Sequence, residues 1–320
     1  IEIGRKTSGA GRPWGHSAGK RTGPGTGRRF TRVDAIALPP AGISRRRAIQ
    51  TRHADDERDH GWTSERRGPG PDAARTRAAT NGLYRPGAEH DACGVGFVCD
   101  LHGRKSHLIV RQGLEILVNL THRGAVGADP LVGDGAGLLC QIPHGLYVEE
   151  CRRLGFELPE PGAYAVGMVF MPREDGLRAH CADIIASAIE AEGHVLLGWR
   201  EVPVDNSGLS SLVTDVEPVH MQVFIGRGAD EVDEDSFERR LYVLRKVISN
   251  TIYRETEGEK SEFYVVSMSC RTMVYKGMFL ANQLGPYYRD LTDERFESAL
   301  ALVHQRFSTN TFPSWRLAHP

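Results

Sequence analysis

The sequence lacks any run of 18 apolar residues, and its nearest approach to a signal core, Ala35-Ile36-Ala37-Leu38, runs straight into Pro39-Pro40. A bilayer-spanning helix needs about 20 apolar residues and a signal core about 7–15, so no membrane association and no signal peptide are expected. Cysteine is sparse. The six cysteines, at 93, 99, 140, 151, 181 and 270, form no CxxC pair and no disulfide-like spacing. Thiols dispersed in this way fit a reducing compartment, and a cytoplasmic location is expected. No residue pattern calls for a metal, and no internal repeat is present. Methionine is missing before Met168 and the chain starts at Ile1. The expectation is therefore a fragment, or a translation extended upstream of the true start.

A dominant charge is also missing, with 40 Lys and Arg against 41 Asp and Glu. That balance hides an asymmetry. Residues 1–80 hold 17 basic and 8 acidic side chains, whereas 81–320 hold 23 and 33. The first stretch is dense in Gly, Pro and Arg with few aromatics and cannot bury a core, so 1–80 is expected to be a disordered basic segment, either propeptide or upstream sequence. A basic tail suits nucleic acid electrostatically, but no aromatic interleaving or folded reader accompanies it. Nucleic acid is not an expected partner.

What is present is organised around Glu89-His90-Asp91-Ala92-Cys93-Gly94-Val95-Gly96-Phe97. Alternation of Cys93, Val95 and Phe97 with Gly94, Gly96 and Val98 predicts a strand opening at the cysteine. Two glycines weaken a strand and mark close approach of a ligand or another backbone. A thiol at the mouth of such a strand is a candidate nucleophile, although a cysteine taken alone is more often a small buried core thiol.

Downstream, Ser106 is placed to cap a helix over 107–120, whose apolar positions cover most of its circumference and predict burial between layers. It ends at His122-Arg123-Gly124, with the glycine as its cap. Gly133, Gly135 and Gly137 lead into the apolar run 138–142. A dinucleotide fingerprint opens a helix instead, so these glycines predict a turn in which backbones approach closely, lining the site. Further elements are expected at 146–154 (helix), 163–170 (strand), 174–192 (helix), 195–204 and 219–225 (strands). A capping box at Asp235 and Glu238 predicts a long helix with Phe237, Leu241, Leu244, Ile248 and Ile252 inward. Strands at 263–267 and 271–275 read as a hairpin, and 299–306 as a last element. Strict β-α-β alternation is absent, which argues against a doubly wound sheet; the periodicity supports a mixed α and β fold.

The second informative stretch is His304-Gln305-Arg306-Phe307-Ser308-Thr309-Asn310-Thr311-Phe312-Pro313-Ser314-Trp315. It turns from apolar to polar where a sheet hands over to a ligand loop. A guanidinium there binds a carboxylate with two parallel hydrogen bonds or sits in a surface ion pair.

The run His90–Phe97 resembles the maturation site of glutamate synthase large subunits, which begin with a class II glutamine amidotransferase domain. The resemblance covers 83–320 and includes Thr121-His122-Arg123-Gly124, Gly133-Asp134-Gly135-Ala136-Gly137, Gly198-Trp199-Arg200, Tyr275-Lys276-Gly277-Met278 and the 300–315 run. It implies an α+β fold, the four-layer α-β-β-α sandwich of N-terminal nucleophile hydrolases, truncated at its C-terminus. It implies propeptide up to residue 92, an incomplete amidotransferase domain over 93–320, and Cys93 as nucleophile once its α-amine is freed. Arg123 is implied to support the site, and Arg306, Phe307 and Thr309 to bind L-glutamine. Also implied are downstream synthase domains acting on 2-oxoglutarate, their FMN and iron–sulfur cluster, and a small electron-donating subunit. The amidotransferase domain itself is expected to need no cofactor. Where the family often has another cysteine, this chain has Ala128-Asp129-Pro130-Leu131, which leaves contacts there open. The family's oxyanion-hole Asn-Gly pair would lie past Pro320, so the piece alone is expected to be nearly inactive. Two alternatives remain: another class II amidotransferase, making amino sugars or phosphoribosylamine, and a noncatalytic interaction domain.

Overall fold

The computed structural model describes residues 93–256, 258, 262–308 and 311–318. The expected basic segment 1–80, the maturation stretch 81–92 and Thr309 lie outside these residues.

The described strands form two antiparallel sheets. The first is ordered β1 (Gly94–Cys99), β8 (Leu300–Gln305), β2 (Ala136–Gln141) and β7 (Thr272–Gly277). The second is ordered β4 (Val195–Glu201), β5 (Val219–Gly226), β3 (Tyr164–Met171) and β6 (Tyr264–Ser269). Between them in sequence come α1 (His107–Asn119), α2 (His144–Arg153), α3 (Asp175–Ala191), the short α4 (Ser211–Thr214), α5 (Glu234–Glu255) and the short α6 (Leu284–Tyr287).

β3 is apolar along its whole length and buried at every residue, because it is flanked on both edges and covered on both faces. Val166, Met168 and Phe170 face a core shared with the first sheet, whereas Ala165, Val169 and Met171 face a second core. That second core is closed by Cys181, Ile185 and Ile189 of α3 and by Phe237, Leu241, Leu244, Ile248 and Ile252 of α5. The near-four spacing on α5 puts all five on one stripe, each contributing about 1.5–3 kcal/mol by burial. Two antiparallel sheets enclosing one core, with helices flanking them, make up the α+β sandwich of the N-terminal nucleophile hydrolase type.

A buried polar group joins the layers. Arg200 of β4 donates two hydrogen bonds to Asp290, at 2.8 and 2.7 Å, and a third to Gln222 of β5 at 2.9 Å. Tyr275 of β7 donates to the same carboxylate at 2.8 Å, and Gln222 donates to the Tyr147 hydroxyl at 2.8 Å. Both charges are almost fully buried, so each depends on the other for its solvation.

Several local expectations are corrected. The capping box of α5 is Asp233 with Ser236; Glu238 instead accepts from the Ser269 hydroxyl and the Cys270 amide, tying α5 to the β6–β7 turn. Ser106 precedes α1 with extended backbone but makes no side-chain cap. β6 and β7, adjacent in sequence, belong to different sheets and so connect the two layers. Gly94 and Gly96 accommodate a helix: a Cβ on Gly96 would stand 2.4 Å from the Ile116 side chain of α1.

Candidate active site

Cys93 immediately precedes β1, and Gly94 pairs with Gln305 at the end of β8. The thiol is therefore carried to the point where β8 gives way to Arg306 and Phe307. The Phe307 amide donates to Cys93 Sγ at 3.4 Å, and Sγ lies 3.7 Å from the Phe307 carbonyl. Cys93 and Cys99 are the exposed cysteines; the other four are buried. Burial pushes the Cys181 thiol up to about 11 and those of Cys151 and Cys270 up to about 12, and Cys140 higher still. Those four are core thiols, as the alternative reading of a cysteine anticipates, whereas Cys93 is open to solvent.

Arg306 is buried. Its Nη1 donates to the Asp134 carbonyl at 3.0 Å, and its Nη2 donates to the Ser308 hydroxyl at 3.0 Å and to Thr311 Oγ1 at 2.6 Å. Its backbone amide donates to the Gly135 carbonyl at 2.9 Å, and its carbonyl accepts from Ala125 at 3.4 Å. The guanidinium carries five N–H donors, so groups beyond these three contacts are left to meet an anion.

Arg123 stands in a 3₁₀ turn (Thr121–Arg123) after α1, and its side chain lies across Gly94, where a Cβ would approach Arg123 Cβ to 2.8 Å. The expected site residues Cys93, Arg123, Arg306 and Phe307 are thus brought together. Gly124 is not the cap of α1. Its φ is −104°, and its lack of a side chain admits Gln305, whose Nε2 would lie 2.2 Å from a Cβ there.

The turn through Gly133 and Gly135 is the close backbone approach that its glycines predict. A Cβ on Gly133 would be 2.4 Å from the Phe279 carbonyl oxygen, and Gly135 has φ +140° against Ala318. Asp134 stands within that glycine run, and the sequence assigns it no role of its own. Its carboxylate accepts from the Ser308 amide at 2.5 Å. Lys276 is the other residue to which the sequence assigns no role of its own: it stands in the Tyr275-Lys276-Gly277-Met278 run, one residue past the strand expected at 271–275, and falls inside β7. It is 2% exposed, its Nζ donates to the Arg316 carbonyl at 2.7 Å, and it lies 4.3 Å from the centre of the Tyr264 ring. Burial, with Arg245, Arg306 and Arg316 nearby, pulls its pKa down to about 7. In the Ala128–Leu131 segment, Asp129 accepts from Ser210 Oγ at 2.5 Å and from the Leu131 amide at 2.9 Å, which gives it a turn-holding role.

Among the described residues no group of three or more His, Cys, Asp or Glu is arranged to hold a metal ion, and no helix is long and apolar enough to cross a membrane.

Residues 93–320 match the family model described as glutamine amidotransferases class-II. The chain is 49% identical over 239 residues to the glutamate synthase [NADPH] large chain of Bacillus subtilis, an alignment covering 75% of this chain and 15% of that protein. It is 44% identical over 248 residues to the glutamate synthase [NADH] of Saccharomyces cerevisiae, covering 75% of this chain and 11% of the relative. It is 40% identical over 233 residues to ferredoxin-dependent glutamate synthase 2, chloroplastic, of Arabidopsis thaliana, covering 73% and 14%. The chain therefore spans less than a fifth of the length of these relatives.

Proposed function

The chain belongs to the class II glutamine amidotransferases, and from that premise we propose that it performs the glutaminase half-reaction of a glutamate synthase. Cys93 is the nucleophile. Removal of residues 1–92 frees its α-amine, which takes the thiol proton as a general base adjacent to the nucleophile. The sulfur attacks the side-chain amide carbon of glutamine. The amine returns the proton to the departing nitrogen, so that ammonia leaves and a glutamyl thioester remains. Water then cleaves the thioester to glutamate and restores the thiol.

Arg306 holds the α-carboxylate of glutamine through guanidinium N–H groups beyond its contacts with Asp134, Ser308 and Thr311. Phe307 places its backbone beside the sulfur, Thr309 contributes a hydroxyl to the substrate, and Arg123 supports the site from the α1 side. The ammonia passes to a synthase domain acting on 2-oxoglutarate, and FMN and an iron–sulfur cluster held outside residues 93–320 would supply the redox chemistry of that domain. The residues present here do not fit such a cluster, which takes cysteine thiolates grouped around it, since among the described residues no three or more His, Cys, Asp or Glu side chains are grouped to hold a metal.

The observation that carries this reading is the seating of the exposed Cys93 thiol against the Phe307 backbone, one residue past the buried Arg306. The test uses the full-length mature protein with Cys93→Ala. Glutamine hydrolysis should vanish, while synthesis of glutamate from added ammonia survives because that site lies elsewhere. Persistent glutamine hydrolysis would remove Cys93 from the chemistry.

A further inference from the structure

Resting on the glutaminase reading, we propose that Asp134 is the positioning residue that fixes Arg306 for the α-carboxylate, and thereby sets the preference for substrates bearing one. Asp134 braces the arginine twice. Its carbonyl accepts directly from Nη1 at 3.0 Å. Its carboxylate accepts from the Ser308 amide at 2.5 Å, and the Ser308 hydroxyl in turn accepts from Nη2 at 3.0 Å.

The aspartate itself is held still. Its amide donates to the Ala125 carbonyl at 3.3 Å, and the flanking Gly133 and Gly135 are pressed against the Phe279 and Ala318 backbones with no room for a side chain. Gly135 also accepts from the Arg306 amide, so the turn grips the arginine by main chain and side chain together. A carboxylate on a rigid turn is suited to locating a long, flexible side chain, whose ordering otherwise costs entropy at each binding event. The Ser308 amide also needs an acceptor, since an unpaired donor in a half-buried position is penalised. A contact of this kind acts equally on bound glutamine and on the transition state. Its loss should therefore appear in KM rather than kcat.

The test compares glutamine with its α-amide, which lacks the carboxylate, as substrates of the full-length mature protein. In Asp134→Ala, KM for glutamine should rise roughly 10–100-fold while kcat stays within about threefold. The preference for glutamine over the α-amide should shrink by a similar factor. Asp134→Asn keeps the size and an acceptor oxygen without the charge, so it should fall between wild type and alanine. This variant carries the test if the alanine protein does not fold. A wild-type KM in either variant overturns the assignment, as does a fall in kcat with an unchanged substrate preference, which is the mark of a merely structural residue. Cys93→Ala is run alongside. Hydrolysis persisting in that protein strikes the glutaminase reading itself; its silence, together with unmoved KM values at Asp134, strikes only the positioning role.

Discussion

The thiol of Cys93 rests against the main chain of Phe307, with the amide nitrogen at 3.4 Å and the carbonyl oxygen at 3.7 Å, although 214 residues separate the two in sequence. The pairing of β1 with β8 enforces this contact, since Gly94 and Gln305 are register partners. Alkylation should read it out. Cys93 and Cys99 are exposed, so iodoacetamide should label these two well before the buried four, whose thiols burial has pushed upward. Glutamine should protect Cys93 and leave Cys99 labelled. Equal protection of both, or of neither, would speak against a substrate site at the sulfur.

Arg306→Lys should raise KM for glutamine about 10–100-fold, with a smaller change in kcat. Lysine replaces a planar fork by a point charge and cannot reproduce the contacts to Asp134, Ser308 and Thr311. Steady-state kinetics check this, and unchanged glutamine kinetics would detach Arg306 from the carboxylate.

Asp290→Ala should destabilise the fold by about 3–5 kcal/mol, because it leaves the Arg200 guanidinium buried without its carboxylate. Urea titration followed by fluorescence and by glutaminase loss measures it. A loss below about 1 kcal/mol would mean that water reaches the arginine.

His220 predicts a pH dependence. It is buried with Nε2 2.6 Å from the Tyr287 hydroxyl, and desolvation pulls its pKa from 6.5 down to about 3. Between those values the unfolded chain binds a proton that the folded chain does not. The stability tied to this group is complete above pH 6.5 and falls with decreasing pH toward 3. The loss at pH 5 is roughly 2 kcal/mol. His220→Phe should flatten that part of the stability curve; identical slopes in the two proteins would contradict the assignment.

Much of this fold is legible in the sequence because its helices and strands carry clean periods: Phe237, Leu241, Leu244, Ile248 and Ile252 predict the buried stripe of α5 directly. Its boundary was less legible. Asp233 with Ser236, and Asp235 with Glu238, both offer capping chemistry three residues apart, and only the β6–β7 turn, which takes Glu238 for itself, decides between them. The glycines of β1 announce a close approach without saying by what, and the answer is α1. Cys93 and Arg306 stand out as residue types with chemistry at element ends. Asp134 and Lys276 do not, since their partners at Ser308 and Arg316 come from distant sequence and meet them only through strand pairing and the loop that follows β8.

The most direct measurement of the central claim is peptide mass spectrometry of the active mature protein, acid-quenched during turnover with glutamine. The account predicts an N-terminal peptide that starts at Cys93 and carries a glutamyl group on its sulfur, lost on treatment with hydroxylamine. A glutamyl group on any other cysteine, or an active enzyme whose Cys93 peptide still carries Ala92, would contradict it.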